Sequence, residues 1–361
     1  MRILIWGNSY PRVGGVETFI TNLVGALRES GEEVAVVSDG TVALELTEPF
    51  LISMIPMTTP LKAAQPEGIM RATAALRNRI ADFRPDIIHY NLCGPEIFFF
   101  ERVMRRSTIP FVLTLHNSSY AVGDSLTGMI KRLIAKAFAV TGVSNAVCAG
   151  ARRDLGGDVR LISNALPPRS RPAPYPSNGA IFALGRIVPE KGFDTLVEAF
   201  ALTLAVRPEA TLTIAGAGPE LAALQAQAAV LDLGSAVSFP GWINPDSVPG
   251  AMEQAAVIAF PSRWEEPFGL VALEAAQAAR PCVATRVGEL PAIVRDGETG
   301  YIVPREDPKA MAAALLALLD DPQAAEQMGL RARQWAQSRF SFDAMVAAYR
   351  ELFGQAFAAR G

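Results

Sequence analysis

An α/β protein of two parallel-sheet domains is what the 361 residues predict, and three observations predict it. Apolar runs of four to six residues, the length of a buried strand, alternate with helical patterns along the whole sequence. The alternation breaks near Leu166, where LPPRSRPAPYPSNG holds five prolines in its first eleven residues and can be neither helix nor central strand. It then restarts and runs on to a helical end. Strand and helix in alternation imply parallel sheets covered by helices on both faces.

The elements follow in order. Ile3-Leu4-Ile5-Trp6 is a buried strand, a loop runs from Gly7 to Gly15, and Val16, Phe19, Ile20, Leu23 and Leu27 mark one face of a helix that ends by Gly31. Val34 to Val37 is strand again. Further strands are expected at Asp86–Tyr90, Phe111–His116, Ala139–Val143 and Val159–Ile162, with helices such as Ile69–Phe83 and Met129–Phe138 between them. After the proline-rich linker, strands are expected at Ile181–Leu184, Thr211–Ala215, Val237–Phe239, Val257–Phe260 and Cys282–Thr285. Three helical stretches follow Asp307, the last carrying Met345, Tyr349, Leu352 and Phe353 on one face. The domains are therefore residues 1–168 and 169–341, with 342–361 a terminal helix.

Half the residues are hydrophobic, the mean hydropathy is +0.23 and the net charge is −3, which describes a globular chain with no global attraction to nucleic acid. The charge is uneven: residues 62–160 hold 14 Lys and Arg against 8 Asp and Glu, a local basic surface. Three scattered cysteines, Cys93, Cys148 and Cys282, suit neither a disulfide framework nor a zinc cluster, so a reducing compartment is expected. The opening residues do not match a secretory leader, and the longest apolar run, Ala310 to Leu319, is too short to span a bilayer.

The chemistry concentrates in FPSRWEEPFGLVALEA, residues 260–275. Pro261-Ser262 ends a strand, and Pro267 suits the first turn of a helix. A helix opening there aims the free N–H groups of Phe268, Gly269 and Leu270 above the strand ends, where an anion binds. Glu266 and Glu274 bracket that opening, eight residues and at most roughly 12 Å apart if helical. Each carboxylate can accept from paired hydroxyls, although Glu266 alone reads better as an N-terminal helix carboxylate and Glu274 alone as a solvated helix residue. The second element is GRIVPEKG, residues 185–192, where Arg186 and Lys191 lie five apart across a proline turn after a strand. A planar guanidinium and a compact ammonium together suit a pyrophosphate. Gly216-Ala217-Gly218-Pro219 is a small-residue loop able to lie against a flat base. Gly14-Gly15 closes the first loop before a helix, a place where backbone approaches phosphate, although alone it reads as a turn. Of the two histidines, His89 lies inside its strand and reads as structural. His116 stands at the carboxyl edge of the sheet, beside Asn117-Ser118-Ser119, and reads as functional.

GRIVPEKG, IAGAGPE, FPSRWEEPFGLVALEA and VGELPAIVRDGETGYIVP, in that order, resemble the retaining glycosyltransferases of family 4, also called glycosyl transferases group 1. GGVETFITNL, PDIIHYN, TLHNS, VTGVSNAV and LISNALP resemble the amino-terminal domain of the same family, so the resemblance covers almost the whole chain. It implies the GT-B fold, two facing Rossmann-like domains with an interdomain cleft, and a last helix that crosses back to the first domain. It implies that Arg186 and Lys191 hold the donor diphosphate, Glu274 the ribose hydroxyls and Glu266 the transferred sugar, helped by the amides of Phe268, Gly269, Leu270 and Val271. Gly216 belongs to the same donor-binding set. Gly14 and Gly15 would approach the diphosphate from the other domain, and His116 would bond the sugar near the reacting centre. Asn164-Ala165-Leu166-Pro167 departs from the family's usual Asn-Gly-Val-Asp, and Ala292 stands where a glutamate often follows the proline.

The activity expected is retaining, metal-independent transfer of a hexose-type sugar from a nucleotide-diphosphate donor, UDP or GDP type, to an acceptor hydroxyl. No cofactor and no metal are expected, since no Asp-x-Asp ends a strand and two cations serve the diphosphate. The acceptor is expected to be a saccharide or a lipid-linked sugar in cell-surface polysaccharide, lipopolysaccharide or glycolipid synthesis. Lys131, Arg132 and Lys136 beside Met129, Ile130, Leu133 and Ile134, and Arg102, Arg105 and Arg106 beside Phe98 to Phe100, suit either an anionic membrane surface or ordinary solvated helix faces. A cytoplasmic location, peripheral to the inner face of the membrane, follows from that reading. The alternatives are a sugar-nucleotide epimerase of the same fold, which would turn over donor without acceptor, and a non-catalytic sugar-nucleotide-binding protein.

Overall fold

The structure, a computed structural model, describes residues 1–7, 14–39, 52–92, 94, 96–120, 123–169 and 171–359; of Ile52, Ser53, Met54 and Asp124 it describes the backbone alone. Cys93 and most of the loop before the first helix lie outside the described residues. The chain forms two compact units, residues 1–164 joined by 342–361, and residues 165–341.

In the first unit the order is β1 (Arg2–Trp6), α1 (Gly15–Glu29), β2 (Glu33–Asp39), β3 (Ile52–Ile55), α2 (Thr58–Lys62), α3 (Pro66–Phe83) and β4 (Ile87–Leu92). It continues with α4 (Ile97–Met104), β5 (Phe111–Leu115), α5 (Asp124–Lys136), β6 (Ala139–Gly142), α6 (Asn145–Asp154) and β7 (Arg160–Leu161). Sheet order among these is β3-β2-β1-β4-β5-β6-β7, every pair parallel. β1 and β4 are buried along almost their whole length, which is why they read as unbroken apolar runs. Trp6 packs edge-on against Phe100 at 5.1 Å, and Tyr90 stacks on Phe100 at 3.9 Å, so the phenylalanine run of α4 fills the core under the sheet.

The second unit runs β8 (Ala180–Leu184), α7 (Phe193–Val206), β9 (Thr211–Ala215), α8 (Leu221–Val230), β10 (Val237–Gly241), α9 (Val248–Glu253) and β11 (Val257–Phe260). Then come α10 (Leu270–Gln277), β12 (Cys282–Thr285), α11 (Leu290–Ile293), β13 (Gly300–Val303), α12 (Pro308–Asp320) and α13 (Pro322–Arg339). The strand order is β10-β9-β8-β11-β12-β13, again parallel throughout. Asp-Pro pairs start both late helices: Asp307 accepts from the Ala310 amide at 2.9 Å and Asp321 from the Ala324 amide at 2.9 Å. Asp321 is thus the cap of α13. Cys148 and Cys282 are buried and form no disulfide among the described residues, and burial pushes the Cys282 thiol up to about 12.

The chain passes into the second unit after Asn164, four residues before the boundary read from sequence. Gln277 of α10 explains why: its Nε2 donates to the Leu166 carbonyl at 3.2 Å and to that of Pro167 at 3.1 Å. Arg280 anchors the rest of the linker. Its guanidinium, 1% exposed, donates to the carbonyls of Ala173 (3.3 Å), Pro174 (3.0 Å), Glu253 (2.6 Å), Ala278 (3.1 Å) and Ala279 (3.4 Å).

After the second unit the chain returns to the first as α14 (Phe342–Ala358). Tyr349 and Phe353 are fully buried, and the Tyr349 hydroxyl lies 3.3 Å from Thr114 Oγ1 and 3.5 Å from Thr141 Oγ1. Phe353 and Tyr349 both pack on His89, at 5.3 and 5.1 Å between ring centroids. The apolar face of the last helix therefore covers a polar patch of β4, β5 and β6.

Candidate functional site

In the second unit, the predicted residues gather on the loops after β8, β9 and β11. Pro189–Lys191 forms a 3-10 turn and Gly192 leaves it with φ +66, where an added Cβ would lie 2.2 Å from the Pro261 carbonyl oxygen. Only glycine lets the turn close against the end of β11. Lys191 is thereby carried to Glu266. Its ammonium pairs with Glu266 Oε1 and lies 5.4 Å from the Phe260 ring centroid. Ser262 Oγ donates to the same carboxylate oxygen at 2.7 Å, so Glu266, nearly buried, is held by two donors. Arg263 ties the two loops together, donating to the Pro189 carbonyl at 3.1 Å and Asp194 Oδ2 at 2.6 Å.

The helix opens later than the sequence suggested. Gly269, at φ +104, is the N-cap of α10, and Leu270 its first residue, so Pro267 precedes the helix instead of starting it. Phe268 is buried against Phe340 at 5.5 Å and pins the approach to that turn. Ala272 and Leu273 donate back to the Gly269 carbonyl, which leaves the amides of Leu270 and Val271 at the open end of the helix without an acceptor among the described residues. Partial positive charge therefore collects at Leu270 and Val271, four and five residues after Glu266 in sequence.

Glu274 lies in the second turn of α10, half-buried, with no hydrogen-bond donor among the described residues. Burial pushes its carboxyl up to about 7, opposed by the charge of Arg169. The Arg186 side chain is exposed and has no partner among the described residues, so it shares the loop of Lys191 without touching the Glu266 pair. Gly216 stands against that loop: a Cβ there would sit 1.8 Å from the Gly185 carbonyl oxygen, and its φ is +143. The backbones after β8 and β9 are pressed together, with Ile187 donating to Ala217 at 2.9 Å.

In the first unit, Gly14 is the extended N-cap of α1 and Gly15 its first residue. Phe19, one turn on, meets His116 edge-on at 5.2 Å, so α1 links the glycine pair to the histidine. His116 lies just past β5. Asn91 Nδ2 donates to the Trp6 carbonyl at 3.4 Å, which turns Asn91 Oδ1 toward His116 Nε2 at 3.0 Å. The histidine therefore donates from Nε2 and carries its lone pair on Nδ1. His89 Nε2 lies 2.7 Å from Thr114 Oγ1, in the network that holds Tyr349, as expected of a structural residue. Burial lowers both imidazoles to about 3, and the nearby His116 adds to the effect on His89.

Those shifts carry a stability prediction. Unfolded histidine titrates near 6.5 and the folded groups near 3, so the unfolded state binds the extra protons between these values. Their contribution is fully present above pH 6.5 and is lost as pH falls toward 3, at up to about 1.4 kcal/mol per pH unit per histidine. Denaturant midpoints of the first unit between pH 7 and 4.5 check this. His89→Gln is expected to flatten the slope by about half, and an unchanged slope would contradict the assignment.

Sequence reasoning missed Ser262, Arg263 and Arg169. Nothing in the run Phe-Pro-Ser-Arg marks a guanidinium for the β8 loop, because Asp194 is 69 residues from Arg263, and although Ser262 is only four residues from Glu266, their contact turns on how the loop between them closes. Among the described residues no helix is long and apolar enough to cross a membrane.

The family description "Glycosyltransferase Family 4" matches residues 13–170, and "Glycosyl transferases group 1" matches residues 170–335. The chain is 27% identical, over 97% of its length and 97% of the relative's, to a GDP-mannose-dependent alpha-(1-6)-phosphatidylinositol monomannoside mannosyltransferase of Mycolicibacterium smegmatis. It is 38% identical, over 47% of its length and 40% of the relative's, to a D-inositol 3-phosphate glycosyltransferase of Streptomyces scabiei. Among solved structures it is similar to Anabaena HepE in complex with UDP and glucose, with a TM-score of 0.81 over 98% of this chain and 99% of that one at 20% identity. Its two parallel sheets with flanking helices have the GT-B fold.

Proposed function

The chain belongs to glycosyltransferase family 4, and on that premise we propose that it transfers a hexose-type sugar from a UDP- or GDP-linked donor to an acceptor hydroxyl, with retention at the anomeric carbon. The observation that carries the reading is the Lys191–Glu266 pair, with Glu266 four residues before the first of the open amides of α10. As the bond from sugar to phosphate breaks, the diphosphate gains negative charge and the ring gains oxocarbenium character. The Lys191 ammonium, the Arg186 guanidinium and the amides of Leu270 and Val271 stabilise that charge as it develops, without a metal ion. Glu266, with one oxygen already shared by Lys191 and Ser262, accepts from the sugar's hydroxyls through the other. The departing phosphate then guides attack on the face it leaves. His116, in the first unit, is neutral and offers Nδ1 as an acceptor.

The acceptor is proposed to be a saccharide or lipid-linked sugar on the cytoplasmic side of a membrane. In support, Arg102 of α4, Arg105 and Arg106 just after it, and Lys131 and Arg132 of α5 are exposed, although Arg105 and Arg132 both pair with Glu101, at 3.1 and 3.7 Å. Ile130, Leu133, Phe99 and Phe100 are packed in the core, so attraction to anionic lipid rests on charge alone. Lys136 is not part of it, because its ammonium donates to the carbonyls of Met104 and Arg105.

Incubation with a panel of labelled UDP- and GDP-sugars and saccharide or lipid-linked acceptors tests the function, with the anomeric configuration of the product read by NMR. Transfer with the donor's configuration is expected. Inversion, or turnover of donor only to an epimer, would refute it.

A further inference from the structure

Resting on the donor reading just proposed and deepening it, we infer that Arg263 is a positioning residue that holds the turn of Lys191 in place and so sets how tightly the donor's diphosphate is gripped. The turn, Pro189–Lys191, gives its carbonyls to the segment that follows β11. That of Glu190 accepts from the amides of Arg263 at 2.8 Å and Trp264 at 3.1 Å. That of Pro189 accepts from Arg263 Nη1 at 3.1 Å. Lys191 comes next, and its ammonium ends on Glu266, three residues past Arg263. One arginine therefore fixes, from its backbone and from its side chain, the base of a long flexible stem.

The guanidinium is itself braced from two other directions. Nη2 donates to Asp194 Oδ2 at 2.6 Å and to Thr195 Oγ1 at 2.9 Å, both in the first turn of α7, and Nε lies 3.1 Å from Glu306 Oε1, in the loop between β13 and α12. Two carboxylates flank one cation, so its planar fork is oriented before any ligand arrives. The side chain, 25% exposed, lines a cavity of about 220 Å³ beside the turn, together with Val188, Pro189, Phe193 and Glu220. That space is smaller than the roughly 300 Å³ at which ligand pockets begin, which assigns the guanidinium to the turn and not to a second ligand. Neither Lys191 nor Glu266 lines the cavity, so Arg263 acts on the pair through the turn. Removing the guanidinium takes a donor from Pro189 but leaves both amide bonds to Glu190. The turn persists with Lys191 loosened, and ordering that rotamer-rich side chain on the ligand then weakens binding by about two- to tenfold.

Calorimetric titration of the full chain with UDP and GDP is the test, using wild type, Arg263→Ala, Lys191→Ala and the double variant. Lys191→Ala is expected to bind the preferred nucleotide about ten- to hundredfold more weakly, the worth of a charged hydrogen bond. Arg263→Ala is expected to weaken binding about fivefold, and the double variant to match Lys191→Ala within about twofold, because the arginine acts only through the lysine. Millimolar guanidinium chloride, compared with equal sodium chloride, is expected to restore most of the loss in Arg263→Ala, since truncation opens the vacated space to the cavity, and to change nothing in the double variant. Should Arg263→Ala fail to fold, Arg263→Lys keeps a charge for Asp194 but cannot serve every acceptor at once, and its effect is likewise expected to vanish in the Lys191→Ala background. Unchanged affinity in the arginine variant, or a loss that adds in full to that of Lys191→Ala, would overturn the inference while leaving the donor reading intact. Failure of wild type to bind either nucleotide, or wild-type affinity in Lys191→Ala, would overturn the donor reading and this inference with it.

Discussion

Transfer is expected to fall by roughly 10²–10³ in kcat when Lys191 is replaced by alanine, the scale on which a preorganised charge is lost from a developing anion. The side chain does two things. Its ammonium neutralises charge on the leaving diphosphate, and it holds Glu266 in one orientation together with Ser262. Losing it removes the first effect and leaves a nearly buried carboxylate with one donor fewer. Arg186 remains, which is why the loss is not total. Steady-state rates against circular dichroism spectra check the result, because an unchanged spectrum with lost turnover separates chemistry from folding. Lys191→Ala/Glu266→Gln is expected to regain stability without regaining rate. Transfer within tenfold of wild type by Lys191→Ala would remove this ammonium from the mechanism.

Arg280→Met is expected to destabilise the second unit by about 3–5 kcal/mol, the cost of leaving two or more buried carbonyls unsatisfied at roughly 1–3 kcal/mol each. Five carbonyls, from the linker and from the ends of α9 and α10, share that guanidinium. Methionine fills similar space and donates nothing, so those carbonyls lose their donor away from water. Burial disfavours the charge of Arg280, but arginine does not give up its proton here, so the lost contacts set the cost. In a unit of this size the shift corresponds to on the order of 10 °C in Tm, read calorimetrically. The decrease should fall on one transition and spare that of the first unit. A change of less than 1 kcal/mol would show that the linker is held by other contacts.

Much of the fold was legible because parallel strands buried on both faces read as plain apolar runs. Thr211–Ala215, Val257–Phe260 and Cys282–Thr285 were read to the residue. What went unread has physical causes. The phenylalanine run of α4 has strand propensity that its packing under Trp6 and Tyr90 overrides. The start of α10 was misplaced because Pro267 looked like a first-turn proline, whereas the left-handed φ of Gly269 decides where the helix begins. At the site, residue types and spacing pointed to cations and carboxylates around one helix opening. They did not show that Lys191 rests on Glu266, 75 positions away. Contacts of that kind depend on which loops a sheet order brings side by side, and no local pattern records them.

The return of α14 to the first unit separates the order of synthesis from the order of completion. Residues 165–341 can assemble their sheet as soon as they leave the ribosome. The earlier-made unit must wait for Tyr349 and Phe353, and until then its His89, Thr114 and Phe19 surface stays wet. The first unit made is therefore the last to finish, and a chain stalled before residue 342 presents that unfinished surface to chaperones.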